Sequence, residues 1–217
     1  MNVSPASRPA ALAGAFYPAE PAALRAMIGE FIERAPLHQV APKAVVSPHA
    51  GYIYSGPIAA TTLKPLASRA GTIKRVVMLG PPHRMPVRRF CVPSVGAFST
   101  PLGLVPLDAE FMAVVRGHPG VVVDDAPHAQ EHCLETQLPF LQHLLGAFTI
   151  VPILVCGASA DEVAALLARL WGGDETLVLI SSDLSHYHDY ARTQSLDEGA
   201  RRARRRQDPP APDRKRR

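Results

Sequence analysis

Three apolar segments of the sequence each lead into a loop that carries a histidine. His49 lies two residues after the first segment, His83 four residues after the second, and His186 five residues after the third. Asp183 stands in the third loop as well. In an open parallel sheet, ligands bind beyond the carboxyl ends of the strands. If the three segments are parallel strands, their loops share one edge and the imidazoles can converge.

Imidazole and carboxylate groups at one such site predict either metal binding or proton transfer. Neutral imidazole binds iron, copper and zinc, and two histidines with one carboxylate on one face leave positions open on Fe(II). His49, His83 and either Asp183 or His186 could form such a set. The alternative is proton transfer without a metal, with His186 held by Asp183.

A second concentration of polar residues lies in the stretch "DDAPHAQEHCLETQLPF". His132 and Glu135 are three residues apart, so they would share a face of a helix. One interpretation is an exposed helix start, with acidic residues near the positive end of the helix dipole. The other places Glu131, His132 or Glu135 at the mouth of the site as acid, base or ligand. Cys133 could also act as a nucleophile in a Cys-His arrangement.

The alternation of elements indicates the fold class. Segments rich in Val and Ile predict strands at Ala44–Ser47, Arg75–Leu79, Phe90–Val92, Val121–Val123, Thr149–Val155 and Thr176–Ser181. Between them, apolar residues recur at spacings of three and four, which predicts helices beginning near Pro21, Pro57, Asp108 and Ser159. Strands that alternate with helices indicate an α/β fold with a mostly parallel or mixed sheet flanked by helices. The remaining histidines have no comparable context and are interpreted as surface or helix residues: His38, His118, His128 and His143.

Composition indicates a soluble globular protein. The chain has 217 residues, of which 47% are hydrophobic and 19% charged. No apolar run approaches the length of a membrane span, so no membrane partner is expected. The N-terminal stretch carries a single Arg8 and several prolines, which is a poor signal peptide, and a cytoplasmic location is predicted. The three widely spaced cysteines also suit a reducing compartment.

The positive net charge of +4 belongs to the C-terminal tail. Residues 201–217 hold nine of the 23 Lys and Arg, which leaves the rest of the chain mildly acidic. The tail has no apolar face to bury, so we predict an α/β domain over residues 1–199 and a disordered Arg- and Pro-rich segment over residues 200–217. Its cations could attach to phosphates non-specifically, but without interleaved aromatic residues no specific nucleic-acid partner is expected.

Seven ordered motifs between residues 13 and 198 resemble those of the MEMO family, whose bacterial members are called AmmeMemoRadiSam system protein B. They are "GAFYPAEPAAL", "SPHAGYIYSG", "LGPPHR", "STPLG", "EHCLETQLPFLQ", "VPILVCG" and "SSDLSHY". The family's fold is similar to that of the class III extradiol (LigB-type) dioxygenases, a nonheme iron group. The resemblance implies a metal site at His49, His83 and His186, and it places the "EHCLE" motif in the lining of that pocket.

The resemblance implies that the protein binds iron or copper and carries out redox or oxygen-dependent chemistry. The alternative is a non-catalytic module that uses the same cleft for a peptide or small molecule. A radical SAM system protein is an expected partner. Family members continue beyond the "SSD" motif into a segment with a ligand cysteine, and here an arginine-rich tail stands in its place. The expectation is therefore a shortened C-terminal part and an incomplete metal site.

Overall fold

The computed structural model describes residues 6–185 and 188–206. The chain divides into two compact units, Met1–Ser182 and Asp183–Arg217. This division lies before the predicted boundary at residues 199 and 200. The predicted metal ligand His186 lies outside the described residues, as do residues 207–217 of the tail.

The first unit is built on a six-stranded mixed sheet. Its strands are β2 (Ala44–Ser47), β3 (Arg75–Gly80), β4 (Arg89–Val92), β7 (Val121–Val123), β8 (Thr149–Cys156) and β9 (Thr176–Ser181). They lie in the order β2-β9-β3-β8-β4-β7. The first four are parallel, and β4 runs antiparallel to β8 while β7 is parallel to β4. The carboxyl ends of β2, β3 and β9 therefore share one edge, as the sequence predicted.

Helices cover both faces of this sheet. They are α1 (Pro21–Arg34), α2 (Tyr52–Leu63), α3 (Ala109–Arg116), α4 (Ala126–Ala129), α5 (Leu138–Leu145) and α6 (Ala160–Leu170), with 3₁₀ helices at Lys64–Arg69 and Glu135–Gln137. Alternate residues of β3 face opposite cores, because successive side chains of a strand point to opposite sides. Val76 and Met78 pack with α1, α2 and α5, whereas Val77 and Leu79 pack with α3 and α6. This arrangement confirms the predicted α/β class.

Two predicted helix starts are confirmed by their caps. The Asp108 carboxylate accepts a hydrogen bond from the Phe111 N–H at 2.9 Å, and Ser159 and Glu162 form a reciprocal capping box. Pro57, in contrast, does not begin a helix but lies inside α2.

The earlier start of α2 has a tertiary cause. The backbone N–H of Tyr52 donates to the carbonyl of Phe16 at 2.8 Å, and the Tyr52 side chain is buried. The Ser55 hydroxyl donates to the Ala50 carbonyl at 2.7 Å. These contacts fix the first turn of α2 ahead of Pro57, where the sequence pattern predicted the start of the helix.

A second sheet of three strands was not predicted. It contains β1 (Ser7–Arg8), β5 (Ala97–Thr100) and β6 (Gly103–Pro106), in the order β1-β5-β6. β5 and β6 form an antiparallel hairpin, and β1 adds to β5 in parallel. These strands have two to four residues each, too few for an alternating apolar pattern to be recognised.

The second unit contains one helix, α7 (Tyr190–Arg206), among its described residues. The Asp197 carboxylate accepts hydrogen bonds from the backbone N–H and the hydroxyl of Ser185, at 3.0 and 2.7 Å. In the part of the chain that the structure describes, no helix has the length and apolar character needed to cross a bilayer.

His128 lies in α4, which agrees with its interpretation as a surface or helix residue, but its side chain is buried and only 2% exposed. Its Nε2 lies 3.2 Å from the carbonyl oxygen of Cys91, which can only accept a hydrogen bond. Burial lowers the pKa of His128 from 6.5 to about 4, although the hydrogen bond to Cys91 opposes that shift. The folded protein therefore keeps this imidazole neutral at pH values at which the unfolded chain protonates it.

Stability should fall as the pH falls from about 6.5 to about 4, because only the unfolded state gains a proton on His128 in that window. Between pH 7 and pH 5 the expected loss is about 2 kcal/mol from this group. Urea unfolding of the wild type and of His128→Gln at both pH values measures it. An identical pH dependence in the two proteins would contradict the assignment.

Candidate metal centre

His49 is held by a hydrogen-bond network at the end of two neighbouring strands. Ser181, the last residue of β9, pairs in register with the last residue of β2, and its hydroxyl lies 2.9 Å from His49 Nδ1. That hydroxyl donates to the Cys133 carbonyl at 2.6 Å and accepts from Gln137 Nε2 at 3.1 Å. Because a serine has one hydroxyl proton, His49 Nδ1 must carry the hydrogen. His49 Nε2 is then the acceptor nitrogen, the one able to bind a metal.

His83 is oriented in the same way by a buried carboxylate. Glu131 Oε2 accepts the backbone N–H of His83 at 2.5 Å, and Glu131 Oε1 lies 2.9 Å from His83 Nδ1. An ionised carboxylate can only accept, so His83 Nδ1 carries the hydrogen and Nε2 keeps its lone pair. Carboxylate–histidine pairs of this kind fix the tautomer of metal-binding imidazoles.

The third imidazole of the site belongs to His132. The ring centroid of His132 lies 4.3 Å from that of His83 and 5.3 Å from that of His49, and those of His49 and His83 are 5.0 Å apart. One ligand nitrogen from each of the three residues lies within 4.8 Å of the others. We call His49, His83 and His132 the histidine cluster. It gathers three imidazoles at one edge of the sheet.

Glu131, whose carboxylate bonds the His83 ring, is an anion beside the cluster. Burial alone would raise the pKa of this carboxyl, but hydrogen bonds from the backbone of His83 and Cys133 and from the His83 ring lower it to about 2. Glu131 Oε1 also accepts the backbone N–H of His132 at 2.9 Å. The carboxylate therefore remains charged at neutral pH and offsets positive charge placed among the three imidazoles.

The segment that carries Glu131 and His132 reaches the sheet edge because β3 ends in a glycine. A Cβ atom on Gly80 would lie 2.7 Å from Cys133 Sγ and 2.9 Å from a methyl carbon of Leu134. Any larger residue would therefore push this segment away from the strand.

Cys133 Sγ forms a second group of ligand atoms with His83 and Glu131, also within 4.8 Å of one another. Burial raises the pKa of the Cys133 thiol well above its ordinary value, and Glu131 raises it further. A neutral thiol with no exposed surface is a weak nucleophile. These properties argue against the nucleophilic role considered from the sequence.

Glu135 lies elsewhere, in the interior of the first unit. Its Oε1 accepts the Tyr17 hydroxyl at 2.6 Å and the Leu12 N–H at 2.8 Å. Its Oε2 accepts from Arg8 Nη1 at 2.6 Å and from the Ala11 N–H at 3.0 Å. With no exposed surface and both oxygens bonded, this carboxylate holds the N-terminal segment in place.

The expected helix face shared by His132 and Glu135 does not form. His132 precedes the 3₁₀ helix that starts at Glu135, and α5 begins only at Leu138, with Pro139 in its first turn. Asp183, predicted to act with His186, belongs to the second unit. Of the residues that the sequence offered for the site, the structure brings together His49, His83 and His132, with Glu131 and Cys133 beside them.

The cluster is open on one side. The His83 side chain is 36% exposed, whereas His49 is buried. The ring of Phe16 lies 4.8 Å from that of His132. Phe16 also lines a cleft of about 360 Å³ whose other aromatic residues are Tyr17, Tyr52 and Tyr54. The Phe16 ring would separate a small molecule in that cleft from His132.

Comparisons with known proteins identify the family of this chain. The family model described as Memo-like protein matches residues 8–208. The MEMO1 family protein of Methanopyrus kandleri is 39% identical over 215 residues, covering 88% of this chain and 72% of the relative. Those of Ignicoccus hospitalis and Aquifex aeolicus are 40% and 35% identical, with the same shares of each chain covered. The chain belongs to the Memo-like protein family.

Proposed function

We propose that this protein binds one transition-metal ion at the histidine cluster. The observation that carries the proposal is the fixed tautomer of two ligands. Ser181 and Glu131 each hold an Nδ1–H, which leaves the Nε2 atoms of His49 and His83 as acceptors. A site built for a proton relay would not need to gather two imidazoles of fixed tautomer and a third imidazole within 4.8 Å of one another. These residues therefore fit a metal ion.

Iron or copper is the proposed metal. Imidazole nitrogen suits both metals, and three protein ligands leave coordination positions open for another molecule. When bound, either metal would supply redox or oxygen-dependent chemistry. Kinship to the extradiol dioxygenases belongs to the same proposal, as do the predicted ligand role of His186 or Asp183 and the expected incompleteness of the site.

The residues around the cluster would set the charge next to a bound ion and the access of solvent to it. The Glu131 carboxylate balances the charge of the ion and raises the basicity of His83 through its hydrogen bond. The burial of His49 excludes water from the inner side, and the exposed edge of His83 leaves an entry path.

The test is metal binding by protein purified without a histidine tag. Elemental analysis and anaerobic titration with Fe(II), Cu(I) and Zn(II) should give one ion per chain, with submicromolar affinity for iron or copper. The double variant His49→Ala, His83→Ala should lose it. His118→Ala is the matched control, because His118 is half-buried outside the cluster and its Nδ1 bonds only the neighbouring Pro119 carbonyl among the described residues.

A wild-type protein that takes up none of these ions would contradict the proposal. So would a double variant with wild-type affinity, since the ion would then be bound elsewhere. Uptake of zinc alone would support a metal site at the cluster but would contradict the proposed redox chemistry.

A second candidate function is a non-catalytic binding module, and the cleft beside Phe16 favours it. Ile53 and Tyr54 at this cleft are 73% and 78% exposed, and such apolar exposure is typical of binding surfaces. The occupant would be a small molecule, a peptide or a radical SAM partner. Tyr54→Ala would weaken that binding, and the double histidine variant would leave it unchanged.

A further inference from the structure

Arg8 is a buried cation whose role the metal proposal does not use. It lies in β1, where it pairs in register with Phe98 of β5, and it is only 4% exposed. Its guanidinium lies 4.9 Å from the centroid of the Phe98 ring. Strand pairing and stacking together fix the direction in which the side chain points.

The guanidinium contacts one chain segment at three points. Its Nε donates to the His128 carbonyl at 2.5 Å, its Nη2 to the Glu131 carbonyl at 2.7 Å, and its Nη1 to the Glu135 carboxylate at 2.6 Å. These acceptors span residues 128–135, from α4 to the first residue of the 3₁₀ helix. A planar guanidinium holds acceptors in a fixed relative geometry, which a lysine ammonium cannot do.

The same segment supplies two groups of the site from irregular backbone. Glu131 and His132 lie between the end of α4 and the 3₁₀ helix, where no helix or strand ladder sets their positions. The Glu131 carbonyl faces Arg8, and its carboxylate holds the His83 ring. A shift of this backbone would therefore move two of the three imidazoles relative to His49.

We infer that Arg8 is a positioning residue of the candidate metal centre, acting through the backbone of residues 128–135. Its part in metal binding rests on the proposed function, whereas its part in placing His83 and His132 does not. The N-terminal strand thus contributes to the placement of the imidazoles through the backbone carbonyl of Glu131.

The first test compares Arg8→Lys with the matched control Arg75→Lys. Arg75 is also a mostly buried arginine, paired with Asp108 at 2.7 Å and stacked on Phe111. It begins β3, at the strand end away from the cluster. With Co(II) as the probe, Arg8→Lys should bind at least about 10-fold more weakly and show altered visible absorption. Arg75→Lys should lose stability but keep the wild-type affinity and spectrum.

The second test uses metal-free protein, so that it remains informative if the wild type binds no Co(II). The imidazole ring ¹³C–¹H resonances of His83 and His132 should shift in Arg8→Lys, and those of His118 should not. Unchanged His83 and His132 resonances would overturn the inference and leave Arg8 a purely structural ion-pair partner. If Arg8→Lys does not fold, the double variant Arg8→Gln, Glu135→Gln replaces it in both tests, because it leaves no unpaired buried charge.

Discussion

Glu135→Ala is expected to lower the free energy of unfolding by about 3–5 kcal/mol, because it leaves the buried Arg8 charge without its partner. The two side chains are 0% and 4% exposed, and their closest atoms are 2.6 Å apart. The variant also removes the acceptor for the Tyr17 hydroxyl and for the backbone N–H groups of Ala11 and Leu12. Each buried donor without a partner adds a cost of about 1–3 kcal/mol. Urea unfolding at neutral pH measures the loss.

Glu30→Ala is the matched control for the loss of a glutamate from an arginine pair. Glu30 and Arg34 are one turn apart on α1, and their side chains are 63% and 78% exposed. An exposed pair of this kind contributes about 0.3–0.5 kcal/mol. An equal loss of unfolding free energy in Glu135→Ala and Glu30→Ala would show that the interior pair is no more stabilising than the exposed one.

Much of the sheet could be predicted because its strands are continuous apolar segments. β2, β7 and β9 begin and end at the predicted residues, and β3, β4 and β8 differ by one residue at one end. The central strands β3, β8 and β9 are buried along most of their length, and burial on both faces gives this strong pattern. The edge strands β2 and β7 are partly exposed but are still rich in valine. The order of the strands, and the antiparallel direction of β4, depend on contacts between distant segments, which no local pattern encodes.

The histidine cluster was predictable only in part. His49 and His83 follow strands of one sheet, and the edge rule brings them together. His132 follows no strand. Its position in the cluster depends on the close packing of its neighbour Cys133 against Gly80. That contact joins residues more than fifty positions apart, so spacing could not reveal it.

The residues that orient the cluster gave even weaker signals. Ser181 appeared only as the last residue of a predicted strand, and Arg8 only as an isolated charge near the N-terminus. Both act through hydrogen bonds to distant partners. A polar residue at the end of an apolar strand, in register with a strand that leads to a histidine, is the signal that could have identified Ser181.

Among the substitutions that keep all three imidazoles, the largest effect on metal binding is expected from Glu131→Gln. Glutamine keeps the shape of the side chain but replaces one acceptor oxygen by an NH₂ group. In the wild type both oxygens accept hydrogen bonds, from the backbone N–H groups of His83, His132 and Cys133 and from the His83 ring. The NH₂ group must then face at least one of these donors, and the anion that balances a bound cation is lost.

We expect Glu131→Gln to weaken binding of iron or copper by 10- to 100-fold, the range typical for residues that orient metal ligands. Competition titrations of the untagged protein would measure the affinity. Asp125→Asn is the matched control, since the Asp125 carboxylate also accepts a backbone N–H, from Ser94 at 2.7 Å, but bonds no histidine ring nitrogen among the described residues. Because Glu131 touches both His83 and the segment of His132, unchanged affinity in Glu131→Gln would mean that the cluster does not hold the ion.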